Sequence, residues 1–413
     1  MIPRRLVHTF FSFGAIQAAQ YLLPLLAFPL LASRIGSEAF GILLYMLNAS
    51  LIISIVIDWG FVYSGVREIA KKRNEPQSIR LIFSSVLGAK TILAVFSIVA
   101  ALIAWPCIPY AFEYSYLYWP AIIYGVVLGW NPTWFYQGYG KGMRLMATLD
   151  VCSVSLALIA TFLLVKSEDD AYFYLLSLLC FRTIAYSLQI FLAFKLVEHF
   201  GLNLKYGWKM LLSSSALFIS RLASMLYNQV NVVILGFVLS PEHLGLYIVA
   251  DKLMRGVVSL SNPLTNTLFP EICAKLKENK NNAMHILRYS FLCTGAAMIV
   301  MAGISVCLAP WLMELFTGSK QPEAASALRV MSLTIPVLAL NMVLGTQTLV
   351  PFGLERQLTV TLLSVGILNL GSISLLSSQF GLAGAQWNPF LVESSIFIVF
   401  LLIVKKHCRC KLI

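Results

Sequence analysis

Polar side chains recur at helical spacing inside one apolar run of the chain. Arg221, Ser224, Asn228 and Asn231 are separated by three, four and three residues, so they share one face of a helix. A guanidinium on that face favours an anionic ligand. This pattern predicts that the helix lines a polar cavity.

Ten charged residues lie inside apolar runs, and their spacing separates binding candidates from local pairs. Arg182 and Arg221 have no acidic residue three or four positions away, which makes them the preferred binding candidates. Asp251 and Arg255 are four residues apart, so they either neutralise each other or face a cavity. The ten residues are Asp58, Lys90, Asp150, Arg182, Arg221, Asp251, Lys252, Arg255, Arg329 and Glu393.

The other charges have structural alternatives. Lys90 and Arg329 lie near predicted span ends, where a long side chain can reach the interface. Asp150 follows a loop and can serve as a charge at a helix N-terminus. Glu393 is an isolated acid that either packs against another helix or carries a proton, and both alternatives stay open. Six cations against four acids predict a cavity that suits an anionic substrate.

Signals of catalysis are missing from the sequence. All five histidines fall at or outside the ends of apolar runs, and no G-x-x-x-x-G-K-[ST] phosphate loop is present. The eight cysteines are scattered, and a reduced cytoplasmic tail is the favoured interpretation of Cys408 and Cys410. We therefore predict no catalytic residues, no metal and no cofactor.

The composition is that of an integral membrane protein. Of 413 residues, 59% are hydrophobic and 12% are charged, and the mean hydropathy is +0.81. A soluble domain carries about 25% charged residues, so this chain has too few polar groups to cover a surface facing water. Within lipid, a charge at mid-bilayer costs about 2.5–3.5 kcal/mol on insertion scales.

Crossing the hydrocarbon takes about 20 helical residues, and this length predicts an all-α protein with about twelve transmembrane helices. The predicted spans are 8–33, 40–65, 81–105, 117–138, 145–165, 171–195, 208–238, 244–270, 289–310, 324–349, 357–378 and 382–404.

Lysine and arginine residues set the expected orientation. With a cytoplasmic N-terminus, 21 of the 30 cations fall in inside segments and three fall outside. The net charge of +12 then reflects topology and contact with anionic lipids, not nucleic acid. Both termini are predicted to be cytoplasmic. An aromatic and basic stretch at 130–144 is interpreted mainly as an interfacial anchor.

The two halves of the chain resemble each other at an offset of 204 residues. "SEAFGIL" at 37–43 aligns with "PEHLGLY" at 241–247, and "REIAKK" at 67–72 aligns with "PEICAK" at 270–275 at an offset of 203. These matches predict two six-helix bundles, 1–203 and 204–413, related by a parallel pseudo-twofold repeat.

The repeat also relates two polar faces. Gln17 and Gln20 fall at the positions of Arg221 and Ser224. Two symmetry-related helices with polar stripes are expected to line one central cavity. The eighth span adds Asp251, Lys252 and Arg255 to the candidates.

Three sequence motifs resemble those of a known protein family. They are "NPTWFYQGYGKGM" at 131–143, "DWGF" at 58–61 followed by "REIAKKR", and "GLYIVADKL" at 245–253. Over essentially its whole length the chain resembles bacterial O-antigen flippases, or O-unit translocases, of the polysaccharide transporter family. This family lies within the multidrug/oligosaccharidyl-lipid/polysaccharide exporter superfamily. The acidic residue often found after "QG" in that family is absent here, where Gly140 and Lys141 stand.

The resemblance implies a transporter of the bacterial inner membrane that serves lipopolysaccharide biosynthesis. Its substrate would be an undecaprenyl-pyrophosphate-linked oligosaccharide, moved to the periplasmic leaflet by alternating access and coupled to an ion gradient. A polysaccharide polymerase and a chain-length regulator are the implied protein partners. The expected phosphate contacts are Arg221, Arg182, Lys252 and Arg255. The expected hydroxyl contacts are Gln17, Gln20, Asn228 and Asn231, and Asp58 is the candidate proton or cation carrier.

Two alternatives stay open. A multidrug antiporter of the same superfamily would favour an acid-lined cavity for cationic drugs, and the cationic bias argues against it. A membrane polysaccharide polymerase should carry a long periplasmic loop with catalytic residues, whereas the longest predicted loop, 271–288, has about 18 residues.

Overall fold

The computed structural model describes residues 4–198, 201–278, 280–318 and 320–408; side chains are described from residue 25 onward, with gaps within 216–228, 263–281 and at 408. Within these ranges every regular element is a helix. The first eight are α1 (Arg4–Asp58), α2 (Phe61–Lys71), α3 (Pro76–Ala104), α4 (Ser115–Gly129), α5 (Thr133–Tyr139), α6 (Met143–Leu164), α7 (Ala171–Val197) and α8 (Leu204–Asn228). They are followed by α9 (Val230–Leu235), α10 (Pro241–Ser259), α11 (Asn262–Glu278), α12 (Lys280–Thr317), α13 (Pro322–Ser332), α14 (Thr334–Met342), a π-helical stretch (Val343–Leu349) and α15 (Glu355–Cys408).

The helices form a multi-pass membrane protein. Seven stretches of the described chain are long and apolar enough to cross a bilayer. Two of them, Leu25–Lys71 and Glu355–His407, have 47 and 53 residues, more than twice the length that one crossing needs. The all-helical class is therefore confirmed, while twelve spans and the two-bundle repeat stay predictions.

Both overlong stretches contain a sharp reversal at a glycine. In α15, Ser372 Oγ lies 2.7 Å from Asn388 Oδ1, although sixteen residues of straight helix would separate them by about 24 Å. The chain turns back at Gly381, whose φ is 57°. In α1 the rings of Phe28 and Phe40 lie 5.5 Å apart across Gly36, whose φ is 78°. Glycine has no Cβ and adopts these left-handed conformations easily.

The chain divides into two compact units, an N-terminal unit (Met1–Met225) and a C-terminal unit (Leu226–Ile413). This division lies inside α8, whereas the predicted domains meet at 203/204. The first part of α8 stays with the N-terminal unit because glycines let it approach α3 closely. A Cβ on Gly207 would lie 2.6 Å from the Ala89 nitrogen, and a Cβ on Gly88 would lie 2.5 Å from the Asn203 oxygen.

The aromatic rings at 134–136 are core and do not form an interfacial belt, so that part of the prediction for 130–144 is wrong. Trp134, Phe135 and Tyr136 are 1%, 0% and 2% exposed, within the buried cluster of the N-terminal unit. The short helix α5 packs on α2, where a Cβ on Gly65 would lie 2.6 Å from the Trp134 ring. The aromatic rings are therefore packed against neighbouring helices.

The C-terminal unit has its own buried cluster. The second arm of α15 contributes Val392, Ile396 and Phe400, which pack with Val343 and Leu344 of the π-helical stretch. A π-helical turn is rare and often lies at a functional site. The contact places the second arm of α15 directly beside it.

Candidate functional site

Three charged side chains from three helices meet in the N-terminal unit. Asp58 ends α1, Lys90 lies on α3 and Arg221 lies on α8. The Lys90 Nζ is 3.5 Å from Asp58 Oδ1, and the Arg221 guanidinium donates to Asp58 Oδ2. We name these three residues the charge triad. With two cations for one acid, it carries a net positive charge.

Lys90 does not reach the membrane interface, so the sequence-based expectation for it is wrong. Its side chain is 0% exposed. Besides the ion pair with Asp58, its ammonium donates to the carbonyl of Gly129 at 2.7 Å and to that of Asn131 at 3.2 Å. The three N–H donors of the ammonium are thus matched by three oxygen acceptors.

The stretch at 130–144, together with Gly129 directly before it, supplies two of those acceptors. Gly129 ends α4, and the last carbonyls of a helix have no partner within the helix. Asn131 and Pro132 then interrupt the helix, and the Asn131 side chain accepts from the Thr133 backbone N–H at 2.9 Å. This break exposes carbonyls to which a buried cation can bind. The break after α4 therefore holds Lys90 in place.

The "DWGF" motif aligns α1 with α8. Trp59 stacks on Phe218, with 3.7 Å between ring centroids and 8° between planes, and its indole N–H donates to the Leu211 carbonyl at 3.0 Å. Trp59 and Gly60 have φ values of 46° and 83°, so the chain turns abruptly after Asp58. A left-handed tryptophan costs about 1–3 kcal/mol, and these two contacts offset it. They hold α8 where Arg221 can meet Asp58.

Arg182 is also paired, although sequence spacing suggested that it was alone. It is 3% exposed, and its Nη1 donates to Asp150 Oδ1 at 3.0 Å. Gln189 donates to the same oxygen at 3.2 Å, and Arg182 also lies over the Tyr186 ring at 5.5 Å. Asp150 is 0% exposed, so it is a buried ion-pair partner and not a solvent-facing charge at a helix N-terminus.

In the C-terminal unit, the expected local pair on α10 is present. The Arg255 Nε donates to both oxygens of Asp251 at 2.9 Å. Lys252 is half-buried and interacts electrostatically with Asp251. The first of the two sequence-based alternatives, mutual neutralisation, is therefore realised for Asp251 and Arg255.

Asn231 belongs to a chain of buried amides. Its Oδ1 accepts from Asn369 at 2.6 Å, Asn369 accepts from Asn388 at 2.6 Å, and Asn388 accepts from Ser372 at 2.7 Å. Asn369 and Asn388 lie on opposite arms of α15, and Asn231 lies on α9. This amide chain ties the two arms to each other and to α9.

The predicted hydroxyl contacts Gln17, Gln20 and Asn228 have side chains outside the described part of the structure. Their backbones lie in α1 and α8.

Comparison with known proteins identifies the family. A family model described as "Polysaccharide biosynthesis protein" matches residues 6–277. The chain belongs to this family. The match includes all three members of the charge triad.

A curated relative and two solved structures extend the likeness over the whole chain. The chain is 25% identical to a candidate O-antigen transporter of Escherichia coli (strain K12), with 95% of each covered. An inward-facing multidrug resistance MATE family transporter of the MOP superfamily matches with a TM-score of 0.72, at 15% identity and covering 97% of this chain and 98% of the other. The lipid II flippase MurJ, in an inward closed conformation, matches with a TM-score of 0.68, at 12% identity and covering 97% and 87%.

These comparisons confirm the resemblance drawn from the three motifs. They also show that this member of the polysaccharide biosynthesis family shares the fold of a MATE transporter of the MOP superfamily and of MurJ. The relative and both structures are named as transporters or flippases, in agreement with the prediction that the chain is not an enzyme.

Sequence reasoning missed several residues of this family member. The position of Lys90 in the triad was not predicted, nor were the amides Asn341, Asn369 and Asn388. Their one sequence signal is a polar amide inside an apolar run, which is costly in lipid unless it has a partner. Applying that criterion to every asparagine, and not only to charges, would have found them.

Proposed function

We propose that the chain is a flippase for an undecaprenyl-pyrophosphate-linked oligosaccharide, such as an O-antigen repeat unit. It moves this substrate from the cytoplasmic to the periplasmic leaflet by alternating access, driven by an ion gradient. Membership of the polysaccharide biosynthesis family and the MOP-superfamily fold support the transporter class. The name of the Escherichia coli relative supports the substrate class.

The observation that carries the proposal is the excess positive charge of the triad. The Arg221 side chain is 28% exposed, whereas that of Lys90 is 0% exposed. A pyrophosphate group can therefore approach Arg221 and form charge-assisted hydrogen bonds with it. If Arg221 turns from Asp58 to the phosphate, Lys90 still compensates the carboxylate. The triad can thus exchange one partner without leaving a buried charge alone.

The remaining predicted contacts are part of the same proposal. Arg182, Lys252 and Arg255 are assigned to phosphate oxygens, and Gln17, Gln20, Asn228 and Asn231 to sugar hydroxyls. Arg182 must leave Asp150 to reach a substrate, since the pair is buried. Arg221 needs the smallest rearrangement and is the first residue to test. Asp58 is the sequence-based candidate for the coupling ion.

The proposed setting is the bacterial inner membrane, with both termini in the cytoplasm. The 21 cations of the predicted inside segments support this orientation. Membrane lipids and the glycolipid surround the protein. The proposed protein partners are a polysaccharide polymerase and a chain-length regulator, which would act on the delivered substrate.

Deletion in the native host tests the function directly. We expect the lipid-linked oligosaccharide to accumulate on the cytoplasmic leaflet, and re-expression of the wild-type chain to restore it to the periplasmic leaflet. Leaflet position is measured by whether an externally added, membrane-impermeant glycosidase or lectin reaches the sugar. Normal delivery to the periplasmic leaflet in the deletion strain would contradict the proposal.

A multidrug antiporter is the second candidate, favoured by the likeness to the MATE transporter fold. A cationic drug would have to approach a triad that is already positively charged, which is electrostatically unfavourable. The same deletion strain distinguishes the two functions. Drug sensitivity with normal glycolipid delivery would support the antiporter.

A further inference from the structure

A buried carboxylate also lies in the C-terminal unit, and in the part of the chain that the structure describes no cation contacts it. Glu393, on the second arm of α15, is 4% exposed. Its Oε2 accepts a hydrogen bond from the Asn341 side chain at 2.7 Å, and the same amide donates to the Glu393 backbone carbonyl at 2.9 Å. Among the described residues, no lysine, arginine or histidine nitrogen lies within 4.0 Å of this carboxylate. Its contact is a neutral amide.

The cation that acts on Glu393, Arg255, is already paired with another acid, Asp251. The charged groups that act on Glu393 are Arg255 and Asp251, both on α10. Arg255 holds both oxygens of Asp251 through its Nε, and Lys252 also interacts with Asp251. Among the described residues, α9, α13, α14 and the π-helical stretch add no charged group that acts on Glu393. Burying an ionised carboxylate away from water costs several kcal/mol unless the carboxylate is paired with a cation. Binding a positively charged ion would remove this cost at Glu393.

Asn341 can bind the acid in either charge state. As the structure stands, its amide nitrogen donates to Glu393, while its buried Oδ1 has no hydrogen-bond partner. When Glu393 is protonated, its O–H can donate to that oxygen while the amide nitrogen keeps its bonds to Oε2 and to the backbone carbonyl, so the amide need not turn. The spare acceptor is what a group that alternates between carboxylate and carboxylic acid requires beside it.

The surroundings of Glu393 can respond to such a change. Asn341 lies at the end of α14, two residues before the π-helical stretch begins. Val392 and Ile396, which flank Glu393 on α15, pack against this stretch. A hydrogen bond that forms and breaks at Asn341 with the proton therefore acts next to the π-helical stretch.

We propose that Glu393 takes up and releases one proton in each transport cycle, with Asn341 as its positioning residue. The carboxylate oxygen gains the proton from water on one side of the membrane, and the acid returns it on the other side. This inference rests on the proposed transport function. It assigns the coupling ion to Glu393 in preference to Asp58, because Asp58 already contacts two cations and a third positive charge there is repelled.

Infrared difference spectroscopy tests the proton site without requiring transport. The full chain is reconstituted in lipid vesicles, and the C=O stretch of protonated carboxyl groups is followed as a function of pH. We expect a titrating band in the wild type that is absent in Glu393→Gln and retained in Asp58→Asn. Glu314→Gln is the matched control, since Glu314 is exposed and paired with Lys320 at 3.2 Å. A band that persists unchanged in Glu393→Gln would overturn the proposal.

A conservative variant covers the case in which Glu393→Gln fails to fold. In Glu393→Asp the acid is kept but drawn back from Asn341, so we expect the band to remain and to shift in frequency and midpoint pH. A spectrum identical to that of the wild type would contradict the assignment.

Transport in the same vesicles separates the proton site from the proposed function. We expect an imposed pH gradient to accelerate glycolipid translocation in the wild type and to have no effect in Glu393→Gln. Translocation that is driven by a sodium gradient and indifferent to pH would overturn the proton assignment while leaving the flippase function intact. Absence of any translocation together with a titrating Glu393 band would contradict the flippase function alone.

Discussion

Lys90 and Asp58 form an ion pair inside the N-terminal unit, with 3.5 Å between Nζ and Oδ1. The lysine is completely buried, and its two other acceptors are the main-chain carbonyls of Gly129 and Asn131. One side chain thus connects α1, α3 and the break after α4. Removing it affects all three elements at once.

We predict that Lys90→Met destabilises the protein strongly. The change leaves two buried carbonyls without a donor and weakens the compensation of Asp58. Removing one partner of a buried ion pair costs about 3–5 kcal/mol. The loss is measured as a lower unfolding temperature in detergent. Lys141→Met, at an exposed position of the α5–α6 turn, is the control and should leave that temperature unchanged.

Arg221→Ala should reduce transport strongly while the protein remains at normal abundance. Arg221 is partly exposed, so its loss removes a phosphate contact, and Lys90 still compensates Asp58. A hydrogen bond to a charged group contributes about 1.5–3 kcal/mol, which corresponds to at least about tenfold weaker binding. Arg221→Lys keeps the charge and should retain partial function. Normal surface polysaccharide in the alanine variant would refute the role of Arg221.

A double-mutant test on Asp150 and Arg182 distinguishes a structural role of this ion pair from a role of Arg182 in substrate binding. Each single change, Asp150→Leu or Arg182→Met, should cost about 3–5 kcal/mol because it leaves one buried charge unpaired. The double change should recover most of that loss, as apolar replacement of a buried pair is often neutral. If Arg182 contacts substrate, the double variant is stable but inactive. Restored transport would show that the pair is purely structural.

Gly65→Ala should be destabilising by about 1–3 kcal/mol, because a Cβ at this position lies 2.6 Å from the Trp134 ring. The ring is buried and cannot move away. Gly303→Ala is the matched control, since a Cβ there meets nothing within 4 Å. Thermal unfolding of the two variants should differ clearly. Equal unfolding temperatures would argue against close packing of α2 and α5.

Asn388→Leu should loosen the hairpin of α15. Asn388 donates to Asn369 and accepts from Ser372, so its loss leaves the buried Asn369 Oδ1 without a donor, at about 1–3 kcal/mol, while Ser372 keeps its bond to the Asn369 carbonyl. Faster hydrogen exchange across both arms is the expected result. Ser378→Ala is the control, because that hydroxyl is exposed and bonds only its own helix. Unchanged exchange in Asn388→Leu would mean that Gly381 alone sets the hairpin.

The all-helical class was predictable from hydropathy alone. Apolar runs of sufficient length specify helices in lipid, where every backbone group must bond within its own segment. The reversals at Gly36 and Gly381 fall between predicted spans. The local pair of Asp251 and Arg255 was also within reach, since its partners are four residues apart on one helix.

Ion pairs between different helices could not be predicted from the spacing of residues in the sequence. Arg182 and Arg221 seemed unpaired because their acids lie 32 and 163 residues away in the chain. The prediction for the aromatic stretch at 130–144 failed for a related reason. Its composition is the same for an interfacial belt and for a packed core, and only tertiary contacts distinguish the two.

The chain order of the triad has a consequence for biosynthesis. Asp58 is made before Lys90, so the lysine enters the membrane with a counter-charge already present, and the pair is neutral when α3 inserts. Gly129 and Asn131 follow within about forty residues and complete the shell of the ammonium. Arg221 is translated 163 residues after Asp58 and arrives last. The newly made protein therefore gains its positive centre only when α8 docks, which keeps an unfinished chain from presenting an anion-attracting surface.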